Sequence, residues 1–143
     1  MLALAATAAC LLALAAWKYG PWRQKYVVAL PPPTASQRQV VRAYLRALDA
    51  HDSATAEALS TPSMRSTTQM WLGSTASITG IKIGAVVYDA QQPPGEQYSV
   101  PTYFTYSSHW WKNDPSFGDG ERYWEYWLAK IDGRWLINDG GTG

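Results

Sequence analysis

The chain has 143 residues and a formal net charge of +1. Its acidic and basic residues are interspersed, which leaves no polybasic face for nucleic acid. The single cysteine, Cys10, excludes an internal disulfide and the paired thiols of zinc or redox sites.

The first element is a run without charge from Leu2 to Trp17. It suits either a short membrane span or the apolar core of a signal peptide. Residues 1–19 are therefore expected to be a membrane anchor or signal segment, with the membrane as a partner. Lys18, Arg23 and Lys25 follow this run and none precedes it, so the positive-inside rule alone would hold the domain in the cytoplasm. If the true start lies upstream of Met1 with its basic residues, the domain is exported, and an extracytoplasmic location is the expectation adopted. Cys10 follows small residues, as at a lipoprotein processing site, but the apolar stretch before it is too short and Thr7 stands where leucine is usual, so a small apolar residue in a helix is the plainer reading. Residues 20–35 read as a linker stiffened by Pro31-Pro32-Pro33, and residues 36–143 are enough for one domain and one core.

Within that domain Val40, Val41, Tyr44, Leu45 and Leu48 recur at helical spacing, with Arg38, Arg42, Arg46 and Asp49 on the other side. Thr34 or Ser36 can cap the start. Ser53 to Leu59 is a second helical piece, with a kink expected at His51-Asp52. A third begins around Thr61-Pro62-Ser63 and ends near Leu72, Gly73 closing the helical half.

From Ile78 the period moves toward two. Ile78 to Tyr88 predicts one long strand with a bulge at Gly80 or Gly84, followed by a turn from Asp89 to Gln97. Tyr98 to Trp111, Glu121 to Ile131 and Arg134 to Asp139 are the remaining strands, with a loop from Lys112 to Gly120. Pro101 is expected at an edge or a bulge. The fold class is thus α+β: an N-terminal membrane helix, then helices on a curved antiparallel sheet of four strands or more.

Asp132-Gly133 is a preferred two-residue hairpin turn, so Ile131 pairs with Arg134. By symmetry Lys130 faces Trp135, Leu128 faces Ile137, Tyr126 faces Asp139, and Trp124 lies beside Gly141. This set is expected against the helices. The opposite face carries Tyr123, Glu125, Trp127, Ala129, Leu136 and Asn138.

Helices followed by such a meander, with the opening helix Val40 to Asp52 and the closing hairpin Trp127 to Asp139, resemble the nuclear transport factor two-like superfamily. The resemblance implies a cone-shaped fold that hosts isomerases, cyclases and dehydratases as well as catalytically silent membrane-anchored domains. A membrane segment before such a domain is also the layout of inner-membrane assembly proteins of type IV secretion systems, which suggests a role in a secretion or envelope complex.

In the enzymes of that superfamily an aromatic cone holds a flat substrate while a carboxylate moves a proton. The corresponding candidates are Asp139 and Tyr126, with Tyr44, Trp71, Trp124 and Trp135 beside Tyr126 as ligand-binding walls. A carboxylate ending a strand in water beside a cross-strand tyrosine is the plainer reading. His51 and His109 are the only histidines, and two isolated imidazoles do not make a metal site. No nucleophile elbow or phosphate loop occurs, and neither metal nor cofactor is expected.

Tyr103, Trp111, Tyr123 and Trp127 are expected to share the convex side of the sheet, where so much aromatic surface calls for a protein partner or a second copy. The function expected from these residues is a membrane-anchored, non-enzymatic binding or assembly domain. The alternative is a small-molecule isomerase, cyclase or dehydratase using the acid-tyrosine pair.

Overall fold

The computed structural model describes residues 23–109 and 118–142. Three helices, α1 (Gln37–Ala50), α2 (Ser53–Ala58) and α3 (Arg65–Ser74), precede five strands: β1 (Thr75–Ile83), β2 (Val87–Tyr88), β3 (Tyr98–Ser108), β4 (Gly120–Ile131) and β5 (Arg134–Gly141). The sheet is antiparallel with order β1-β3-β4-β5, and β2 continues the β1 side against β3. The α+β class is therefore as the periodicities indicate. Among the described residues no helix is long and apolar enough to cross a membrane. No described helix therefore supports the expected membrane location; the run Leu2 to Trp17, with Cys10, on which the membrane helix was expected, lies outside the described residues.

Helix α1 starts where Ser36 accepts from the Gln39 amide while the Gln39 side chain accepts from the Ser36 amide, a reciprocal capping box. It buries Val40, Val41, Tyr44, Leu45 and Leu48 and leaves Arg38, Arg42 and Arg46 exposed. Its end is a full stop rather than a kink. His51 turns left-handed at φ 53°, and the amides of His51 and Asp52 close back onto Leu48 and Ala47. Asp52 then caps α2 by accepting from the Thr55 amide and also accepts from the Val28 amide at 2.9 Å. The stretch read as a linker is thus seated on the domain: Val28 and Ala35 are buried in the core, and the Lys25 amide donates to Ala50 O. Gly73 lies inside α3, which runs directly into β1.

The expected single strand from Ile78 to Tyr88 is two, and Pro101 gives the reason. It sits in β3, which is paired on both sides, opposite Glu125 on β4. A proline offers no N–H to its other neighbour. On that side the pairing stops at Ile83–Thr102 and resumes at Val87–Ser99. Gly84 crosses the gap, donating its amide to Pro101 O, and a Cβ there would lie 2.7 Å from the proline ring. A further register shift between Thr79 and Lys82 coincides with left-handed Gly80.

Both lateral edges of the sheet are covered in part. Along β1, Asp49 accepts from the Ile78 amide, Lys25 donates to Ala76 O and Arg38 donates to Ile83 O. On β5, Ile137 is bonded on its outer side to the turn after α2, donating to Leu59 O and accepting from the Thr61 amide, each at 2.8 Å.

The β4–β5 hairpin follows the expected pairs from Ile131–Arg134 through Leu128–Ile137 and then departs from them. Asn138 is an extra residue, so Asp139 pairs with Trp127 and Gly140 with Tyr126. Sterics explain the bulge. A Cβ at Gly140 would lie 2.7 Å from Trp124 Nε1 and 3.2 Å from the Tyr126 ring, so only glycine fits over these two inward rings. The strand gains a residue to place it there, and Asn138 donates from its side chain to Gly95 O.

Candidate functional site

The inner face of the sheet is where the cone lining was expected, and the structure fills it with the helices. Tyr44 of α1 meets Tyr126 of β4 edge to face at 5.5 Å, and Trp71 of α3 meets Tyr106 and Trp124 in the same manner at 5.5 and 5.3 Å. Tyr44, Tyr106 and Tyr126 are essentially inaccessible, and Trp71 is buried. These rings fill the core against one another. Trp135 stands apart, its ring at 5.0 Å from Tyr98 and beneath Lys130 Nζ at 5.5 Å, near the hairpin turn.

One polar thread runs through this core. The Tyr44 hydroxyl pairs with Thr68 at 3.0 Å, Thr68 with Ser60 at 2.8 Å, and Ser60 donates to Ala56 O. Burial pushes the Tyr44 phenol up to about 12, and its hydrogen bonds to Thr68 and Ser60 partly oppose the shift. Tyr126 is pushed well above the ordinary phenol value, first by burial and then by the neighbouring Tyr44. Its hydroxyl is buried without a hydrogen-bond partner.

The acid-tyrosine pair does not form. The bulge at Asn138 turns Asp139 to the other side of the sheet, beside Trp127, where it is exposed and accepts from the Gly140 amide. Tyr126 stays inside. The geometry thus corrects the expected cross-strand contact by one residue, and with it goes the arrangement in which a carboxylate could work on a substrate held by Tyr126. One recess is lined by Lys82, Tyr103, Glu121, Arg122 and Tyr123 among others, another by Val27, Gln39, Arg42 and Arg46 with their neighbours. Neither contains Asp139 or Tyr126.

No protein-family model and no curated protein matches this chain. Among solved structures, a SEC-C motif containing protein from Rhodopseudomonas palustris is similar over 77% of this chain and 80% of its own, at 13% identity and a TM-score of 0.48. Nothing in these comparisons points to the nuclear transport factor two-like superfamily, so the resemblance drawn from the opening helix and closing hairpin is withdrawn. A likeness this distant carries no statement about activity.

The outer face is built differently. Tyr103 and Tyr123 are cross-strand partners on β3 and β4, with rings 5.2 Å apart and 53% and 38% of their surfaces exposed. Glu125 follows on the same side, accepting from Ser99 Oγ and from the Tyr123 hydroxyl. Next come half-buried Trp127 and the Ala129–Leu136 pair. Of the four residues expected on the convex side, Tyr103, Tyr123 and Trp127 occupy one face and Trp111 lies outside the described residues.

The contact that sequence reasoning missed is between His51 and His109, whose rings are 5.6 Å apart. They are far apart in the chain, one after α1 and one after β3. Only the pairing of β1 with β3, which makes Thr75 the partner of Ser108, brings them together.

Proposed function

We propose that this chain is a non-enzymatic binding or assembly domain that associates through the outer face of its sheet, with a second copy of itself as the first partner. The observation that carries this reading is the Tyr103–Tyr123 pair, exposed on a face whose opposite side is packed against the helices. Tyrosine at such a place supplies apolar area with few rotatable bonds and a polar tip, the character of residues central to protein interfaces. The bonds along part of each edge favour face-to-face contact as the route of association. The face also carries both signs of charge, Lys82 on β1 and Glu121 on β4 lining the same recess as the tyrosines, so two copies related by a two-fold axis can set unlike charges against each other.

Sedimentation equilibrium over micromolar to millimolar concentrations tests this. The expected result is reversible dimerisation by the full chain that is lost in the Tyr103→Ser/Tyr123→Ser double variant with the fold retained by circular dichroism. A strictly monomeric wild type, or a dimer indifferent to both substitutions, overturns it.

A further inference from the structure

We propose that His51 and His109 together bind a late first-row transition ion of the zinc class. The chain has only two histidines, and the fold sets them ring to ring. The centroid separation of 5.6 Å and tilt of 56° suit joint ligation. With metal-to-nitrogen bonds of about 2.0–2.1 Å and a tetrahedral angle, two imidazoles on one ion have centres roughly 5–5.5 Å apart.

His51 is arranged as a ligand. Its Nε2 lies 2.7 Å from Thr75 O. A carbonyl can only accept, so Nε2 carries the proton and Nδ1 keeps its lone pair in the neutral ring. Holding one ring nitrogen on a backbone carbonyl while the other is left as a donor atom is the outer-shell arrangement that orients metal-binding histidines. Nδ1 is buried with no hydrogen-bond partner, and so is the Thr75 hydroxyl on the same residue that anchors the ring. Buried polar atoms lacking partners are few in folded proteins, and an unpartnered imidazole nitrogen facing into the structure marks a place where a ligand would bind at net gain. The left-handed turn at His51 fixes the ring at the helix end. His109 is half-buried and gives access from solvent.

The charged groups around the pair narrow the choice of ion. Asp49 is engaged by the Ile78 amide, Tyr26 and Lys25, and Asp52 by the amides of Val28 and Thr55. Neither carboxylate is available as an oxygen ligand. Nitrogen donors without carboxylates select zinc, nickel, cobalt or copper over magnesium or calcium, with water completing the shell. Lys25 lies close enough to act on His109 electrostatically, and its positive charge holds the affinity below that of a carboxylate-supported site.

The test is calorimetric titration of the chelator-stripped full chain with zinc sulfate, with magnesium sulfate as control, followed in parallel by the imidazole proton resonances. The expected result is one zinc per chain, no response to magnesium, and both histidine signals moving together to an end point at one equivalent. Affinity should fall about tenfold or more in His109→Ala, a half-exposed position that leaves the core intact. The absence of zinc binding, movement of one histidine only, or full binding by His109→Ala overturns the proposal.

Discussion

The two faces of the sheet use the same residue types to opposite ends. Inside, Tyr44, Trp71, Tyr106, Trp124 and Tyr126 meet edge to face beneath the helices, and a glycine at position 140 is required to make room for two of them. Outside, Tyr103, Tyr123 and Trp127 lie on strands whose alternate residues are buried, yet they remain partly in water. Composition cannot distinguish these roles. The difference lies in which parity of β3 and β4 faces the apolar stripe of α1, and it teaches that an aromatic-rich domain is not thereby a pocket.

The sharpest way to break the contrast is to cut into the inner face. Leu48→Ala, at a fully buried position, should cost about 2–5 kcal/mol in urea unfolding, whereas outer-face Tyr123→Ser should change stability by less than about 0.5 kcal/mol. A comparable loss at both sites would mean that the outer face is core as well.

Alkaline titration probes the same difference without mutation. The Tyr44 phenol ionises in the folded state only near 12, against about 10 when unfolded. Its contribution is therefore complete below pH 10 and is lost as the pH rises through 12, a change of about 2–3 kcal/mol. Unfolding free energy measured between pH 9 and 12 should fall, and the fall should be smaller in the Tyr44→Phe/Tyr126→Phe double variant.

The bulge on β5 is tested next. Gly140→Ala forces a Cβ against Trp124 and Tyr126 and should cost about 1–3 kcal/mol in the same denaturation experiment. The smallest effect distinguishes a structural tyrosine from a working one. Tyr126→Phe removes a buried hydroxyl that has no partner and should be neutral or stabilising by up to about 1 kcal/mol. A clear loss of stability would show that the hydroxyl is bonded in solution.

Much of the fold was legible because local chemistry decides it. The helical stripe from Val40 to Leu48, the cap at Ser36 and the Asp132-Gly133 turn each follow from residue type and spacing, and the inner and outer sets on β4 follow from strict alternation. The site was less legible. Counting pairs outward from the turn assumed an unbroken ladder, and one extra residue at Asn138 reversed the side on which Asp139 emerges. The signal lay in Gly140-Gly141, since glycine in a strand marks close approach. The split at Pro101 needed the knowledge that β3 is central, and the meeting of His51 with His109 depends on the register of β1 against β3. Neither is written in any local stretch.

The partly covered flanks of the sheet carry one more consequence. Where its outer amides and carbonyls are engaged by Asp49, Lys25, Arg38 and the turn at Leu59–Thr61, the ribbon offers no template for another chain to extend it. Strand addition at these positions is thereby disfavoured, even with tyrosines and tryptophans in abundance.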